Sequence, residues 1–166
     1  MVDVQVLGYI GNKYFDRDQR VLHDPSPADL ADLVTELCAA SDDSRWWTHA
    51  TLGRVGAVDG VVVVVAPITG YVALSWTGNA SRSLNPQPFD DAPLLPNDGD
   101  DDPLLFWPRS AYLPAAEAKK ALAEHIVTGA QPTSVQWQPW GWEVRALPDW
   151  LEPDMAEFGA FHLIED

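Results

Sequence analysis

Gly60-Val61-Val62-Val63-Val64-Val65-Ala66-Pro67-Ile68-Thr69-Gly70-Tyr71-Val72-Ala73-Leu74-Ser75-Trp76-Thr77 is the stretch that decides the fold. Its run of valines is β-branched, stiff at χ1 and apolar on both faces of an extended chain. That predicts a strand over 60–66 near the middle of a sheet covered on both sides. Pro67-Ile68-Thr69 is too short and too turn-prone for a helical crossover, and Gly70 closes it. The next run, 70–77, places Val72, Leu74 and Trp76 on one side. Together the two runs predict an antiparallel hairpin.

Working upstream, residues 46–55 read as a further strand. Residues 3–10 read as the first strand, with Val4 and Val6 facing one way and Gln5, Leu7 and Tyr9 the other. Between them, after a charged loop, lies the clearest helical signal. Ser26 is the N-cap, Pro27 takes the first helical position and Asp29 closes a capping box. Leu30, Leu33, Val34, Leu37 and Cys38 then recur at i, i+3, i+4, i+7 and i+8, an apolar stripe over a helix at 27–40. Cys38 lies on that stripe and reads as a small core residue.

Working downstream, residues 79–102 lose all periodicity. Pro86, Pro88, Pro93 and Pro96 exclude helix and interior strand, so a long Pro/Asp-rich loop is expected there. Leu104, Phe106 and Trp107 predict a short strand, and Pro114 opens a second helix to Thr128. Ala118, Ala121, Leu122, His125 and Ile126 form its inner face, and Gly129 stands at the C′ position. Val135 and Trp137 predict a last strand, and 143–166 reads as an acidic, aromatic tail. The expected class is α+β: one domain over 1–166, with an antiparallel or mixed sheet of about five to seven strands and two principal helices packed on it.

With 166 residues and 46% apolar side chains, 8 of them Trp, the chain has the bulk for one core of ordinary size. No apolar run approaches the ~20 residues of a membrane-spanning helix, and Met1-Val2-Asp3 lacks the pattern of a signal peptide, so a soluble cytoplasmic protein is expected. Cys38 is the only cysteine, which excludes an intrachain disulfide and a thiolate-bound cluster. The formal charge is -15, and residues 84–166 hold 15 of the 25 acids against 4 of the 10 bases. Such a field repels phosphate backbones and disfavours direct nucleic-acid binding; the acidity serves either solubility alone or a surface made for a basic protein partner.

Motifs for chemistry are missing. Ser75 sits in Ala-Leu-Ser-Trp-Thr, inside a strand rather than on a nucleophile elbow. The span from Gly53 to Gly60 has neither the lysine nor the following helix of a phosphate loop. His23, His49, His125 and His162 share no metal-ligand spacing, and the run from Asp98 to Asp102 lacks the twelve-residue calcium pattern, so it reads as solvated charge. His125, on an inner helix face, reads as a core imidazole. His49, Asp59 and Ser75 are polar candidates on or near strands, but no spacing makes them converge. No enzyme, cofactor or metal is expected.

Trp137-Gln138-Pro139-Trp140-Gly141-Trp142 is different. Its rings cannot all point inward from one strand, because odd and even positions face opposite ways and Pro139 and Gly141 break the pairing. An exposed tryptophan beside acids predicts a protein-binding surface, since Trp is the residue most enriched at interface hot spots. The expected contact residues are Asp90, Asp91, Asp98, Asp100, Asp101 and Asp102 with Trp140 and Trp142.

Phe106-Trp107-Pro108-Arg109-Ser110-Ala111-Tyr112-Leu113-Pro114, an amphipathic helix, and Thr128-Gly129-Ala130-Gln131-Pro132-Thr133-Ser134-Val135-Gln136-Trp137 follow one another in an order and spacing that resembles immunity protein family one of bacterial polymorphic toxin systems. The resemblance covers residues 104–140. It implies a non-enzymatic antitoxin that binds and blocks the catalytic domain of a cognate toxin in the producing cell, commonly a nucleic-acid deaminase or nuclease. The alternative is a cytoplasmic adaptor module whose Trp-rich segment docks a protein unrelated to toxins.

Overall fold

In the computed structural model, residues 4–10, 18–38, 48–54, 60–65, 70–92 and 105–144 are described. The valine run forms β4 (Gly60–Val65), fourth in a path of seven antiparallel strands. The path runs from β2 (Asp18–His23) through β1 (Val4–Ile10) and β3 (Thr48–Arg54) to β4. It continues through β5 (Tyr71–Trp76) and β6 (Ser81–Leu84) to β9 (Gln136–Pro139). The predicted hairpin is present, with Val61 opposite Trp76 and Val63 opposite Leu74.

Directly opposed residues share a face, and alternate residues along each strand do too. One face therefore carries Leu52, Val61, Val72, Leu74 and Trp76, all buried. Against it pack Leu30, Leu33 and Val34 of α1 (Pro27–Cys38) and Ala118, Ala121 and Leu122 of α2 (Ala115–Thr128). Each fully buried leucine contributes roughly 1.5–3 kcal/mol of transfer free energy. This is an α+β arrangement of one antiparallel sheet and two helices.

The helix termini form as their sequences predict. The Ser26 amide and hydroxyl both donate to Asp29 Oδ2 at 2.7 Å, and the Asp29 amide donates to Ser26 Oγ at 3.2 Å. Gly129 ends α2 with φ +65°, a left-handed conformation that favours glycine, and its amide donates to the His125 carbonyl. No helix among the described residues is long and apolar enough to cross a membrane.

Four strands lie where none was expected: β10 (Glu143–Val144), at the start of the stretch read as a tail, and three others. The charged loop after β1 contains β2, whose Val21 and Leu22 stand opposite Leu7 and Val6. At an end of the strand path, polar residues such as Asp18, Gln19 and Arg20 are tolerated because pairing is needed on one side only. The expected loop from Asn79 begins with β6. Its Ser81, Arg82 and Ser83 are buried, a strand without any hydrophobic alternation to announce it. The third is β8 (Tyr112–Pro114), just ahead of α2, which starts at Ala115 with Pro114 as its N-cap.

Strands β6 and β8 share one edge of β5. Ser75 and Trp76 pair with β6, whereas Tyr71, Val72 and Ala73 pair with β8. Leu74 falls in the gap, where its amide donates to Ser83 Oγ at 3.0 Å, and Ser83 Oγ in turn donates to the Ala111 carbonyl. The Asn85 amide donates to the Ser110 carbonyl and Asn85 Nδ2 to the Tyr112 carbonyl. Side chains thus take over where the ladder changes partner, which is why Ser83 and Asn85 look like loop residues in the sequence.

By internal contacts the chain separates into two units. Met1–Pro93 with Arg109–Trp140 holds the sheet and both helices; Leu94–Pro108 with Gly141–Asp166 is the second. In the second unit, β7 (Leu105–Phe106) pairs antiparallel with β10 (Glu143–Val144), and the Trp107 and Trp142 rings meet edge to face at 6.4 Å. The calls on residues 93–104 and 145–166 lie outside the described residues.

Candidate functional site

The loop between α2 and β9 is tied down by one carboxylate. Glu124 accepts hydrogen bonds from the Thr133 amide, the Thr133 hydroxyl and the Ser134 amide at 2.7–2.9 Å, which hold its carboxyl down at about 2. His125 Nδ1 lies 2.8 Å from the Ala130 carbonyl, and Trp137 Nε1 donates to the Pro132 carbonyl at 2.7 Å. Trp137 thereby packs inward against the core.

That fixed loop meets the β5–β6 turn. Asn79 Nδ2 donates to Gln131 Oε1 at 3.1 Å, Gln131 Nε2 donates to Ser81 Oγ at 2.8 Å, and Ser81 Oγ donates to Asn79 Oδ1, closing a ring of three side chains. Beside the ring, the Ala80 carbonyl accepts a hydrogen bond from the Trp140 amide at 2.9 Å. Ala80 has φ +49°, the left-handed region that costs a non-glycine residue roughly 1 kcal/mol or more.

Trp140 is 44% exposed, one of two large apolar side chains so placed among the described residues, with Val127 the other. Its indole lies over the Arg82 guanidinium, 4.0 Å from carbon to ring centroid. Arg82 stands opposite Ser75 of β5 and Gln138 of β9, and Tyr112 stands opposite Ala73, so all five share the face turned away from the helices. Arg82 is wholly buried, and burial pulls its pKa down to about 10, opposed by the Tyr112 hydroxyl; it remains a cation at neutral pH. Burial likewise pushes the Tyr112 phenol well above its ordinary range. Tyr112 OH and Ser75 Oγ have no hydrogen-bond partner among the described residues. Desolvation strengthens the contact between cation and ring, to about 2 kcal/mol or more in buried cases. The exposed indole is therefore held from two sides, through its backbone and its π face.

Of the predicted contact residues, Trp140 occupies this surface. Asp90 and Asp91 are exposed, and Asp91 accepts a hydrogen bond from Tyr71 OH at 3.2 Å, where the Phe89 ring stacks on Tyr71 at 3.9 Å. Tyr71 opens β5 whereas the 77–80 turn follows its end, roughly 17 Å along the strand at about 3.3 Å per residue. The structure does not bring this acidic pair to Trp140. Trp142 belongs to the second unit, and Asp98, Asp100, Asp101 and Asp102 lie outside the described residues. Of the enzyme candidates, Ser75 is buried on the face away from the helices, His49 lies on β3 and Asp59 lies outside the described residues.

Sequence reasoning missed Asn79, Ala80, Arg82 and Gln131. The available signal was charge: residues 60–89 and 125–142 contain no Asp, Glu or Lys, and Arg82 is their only Arg. These two neutral stretches supply β4, β5, β6 and β9, neighbours in the sheet. Comparison of the chain with protein-family models, curated proteins and solved structures finds no match.

Proposed function

We propose that this is an immunity protein of the polymorphic-toxin type, a non-enzymatic cytoplasmic antitoxin. It binds and blocks the catalytic domain of a cognate secreted toxin that acts on nucleic acid, such as a deaminase or nuclease. The observation that carries this reading is Trp140: a large, exposed aromatic held by a backbone hydrogen bond and a buried cation, on a chain of charge -15. A fixed aromatic anchor suits high-affinity protein binding because little ordering entropy remains to be lost. The acidic excess suits a partner whose own site is cationic because it handles nucleic acid, and such complementarity accelerates encounter. The order of motifs over residues 104–140 supplies the remaining support.

The test is protection. Cells producing the toxin domain encoded beside this chain should survive when the chain is co-produced and die without it. Absence of protection, with stable binding instead to a protein unrelated to toxins, would favour the adaptor alternative.

A further inference from the structure

Resting on the immunity reading, we infer that the exposed Pro86-Gln87-Pro88 arch enters the nucleic-acid cleft of the toxin domain and takes the place of its substrate strand. The arch stands between two fixed feet. At the first, the Asn85 amide donates to the Ser110 carbonyl at 2.6 Å, Asn85 Nδ2 donates to the Tyr112 carbonyl at 3.1 Å, and Asn85 Oδ1 accepts from the Gln87 amide at 3.0 Å. At the second, the Phe89 ring lies parallel to Tyr71 at 3.9 Å, and the amide of the buried Ala92 donates to the Phe89 carbonyl at 3.2 Å. Between the feet, Pro86, Gln87 and Pro88 are all exposed. Each proline fixes its own φ and biases the residue before it towards extended backbone, so the crown is ordered before any partner arrives. Little ordering entropy remains to be lost on binding.

What the crown presents matches what such a cleft is built to hold. Proteins that take a base out of its stack, or bind single strands, grip the bases between aromatic and apolar side chains and run the backbone along a cationic groove. Rigid proline rings are apolar surfaces of the kind that aromatic grooves accept. Between them, the Gln87 carboxamide offers an acceptor oxygen and two donor hydrogens, the same groups that base edges offer. Asp90 and Asp91, exposed at the second foot, draw the cationic rim of the cleft towards the crown and act on the encounter. Arg109, beside Ser110 at the first foot, is half-buried and already engaged.

The experiment changes the sign of charge at the crown. Dissociation of the full chain from the toxin domain encoded beside it would be followed by surface plasmon resonance at low and high salt for the unmodified protein, Gln87→Glu, Gln87→Arg and Pro88→Ser. Thermal melting of each free variant checks folding, and an unreactive single-stranded oligonucleotide serves as competitor. Gln87→Arg should dissociate about tenfold faster and Gln87→Glu no faster than the unmodified protein, with the gap between them narrowing at high salt. Pro88→Ser should dissociate severalfold faster, and excess oligonucleotide should prevent binding. Equal acceleration by both Gln87 variants at every salt concentration would seat the crown on a neutral surface and overturn the inference. Unchanged dissociation in all three variants, or undiminished binding in excess oligonucleotide, would overturn it too. If the unmodified chain binds no toxin domain, the immunity reading itself fails.

Discussion

The two ends of β5 differ in what they offer a partner. At its start, Tyr71 carries the Phe89 ring and holds Asp91, so acids are displayed there. Past its end, the 77–80 turn is tied to Gln131 by side-chain hydrogen bonds and to Trp140 by a backbone one, and Trp140 is exposed. Acids act at a distance set by the Debye length, about 8–10 Å in ordinary buffers, whereas an indole acts only on contact. The two ends are therefore suited to different stages of one binding event, and they can be broken separately.

The largest effect should come from undermining the scaffold common to both ends. Leu74 is wholly buried in mid-strand, and Leu74→Ala should cost about 2–5 kcal/mol by chemical denaturation, with both rate constants for binding disturbed together. Trp140→Ala uncovers Arg82 and should cost about 1–2 kcal/mol of folding stability, and in the still-folded variant binding should weaken by about 2 kcal/mol or more through faster dissociation at every salt concentration. Asp90→Asn with Asp91→Asn, and separately Asp100→Asn with Asp101→Asn and Asp102→Asn, should slow association by about severalfold and flatten its salt dependence, while complex lifetime stays put.

Acid should loosen the far end of β5 through Glu124, whose carboxylate holds the α2–β9 loop. Its carboxyl is lowered in the folded chain from an ordinary 4.5 to about 2. Its stabilising contribution is thus present above about 4.5 and is lost as pH falls through about 2. Melting temperatures of Glu124→Gln should be lower than those of the unmodified protein at neutral pH, and the two should converge in strong acid. The smallest effect concerns Ala80. Ala80→Gly relieves a left-handed alanine but frees the unfolded chain, so a net gain of about 0.5 kcal/mol in thermal stability is expected, with Trp140 still in place.

Much of the scaffold was legible because its signals are local. Five adjacent valines make a central strand, and the reciprocal Ser26 and Asp29 bonds follow directly from a capping box. Gly129 likewise ends α2 where a left-handed residue is needed. What escaped depends on partners distant in sequence. Strand β6 is polar because Ser83 and Asn85 replace missing ladder bonds to residues 110–112 and to Leu74, and no window around residue 83 contains those partners. The site was half legible. Alternation showed that one of the clustered tryptophans must face outward, and Trp140 does. That its ring rests on Arg82, and that Asn79 and Gln131 meet beside it, follows from the β6–β9 register, with Arg82 opposite Gln138.

The central claim is that this chain silences a catalytic toxin domain by binding it, and titration of that activity tests it most directly. The purified toxin domain encoded beside this chain would be assayed on its nucleic-acid substrate with increasing amounts of the full-length protein. The account predicts that activity falls linearly to a sharp end point at a fixed stoichiometry, and that Trp140→Ala blunts the end point into a shallow curve. Undiminished toxin activity in the presence of a large excess of folded protein would contradict it.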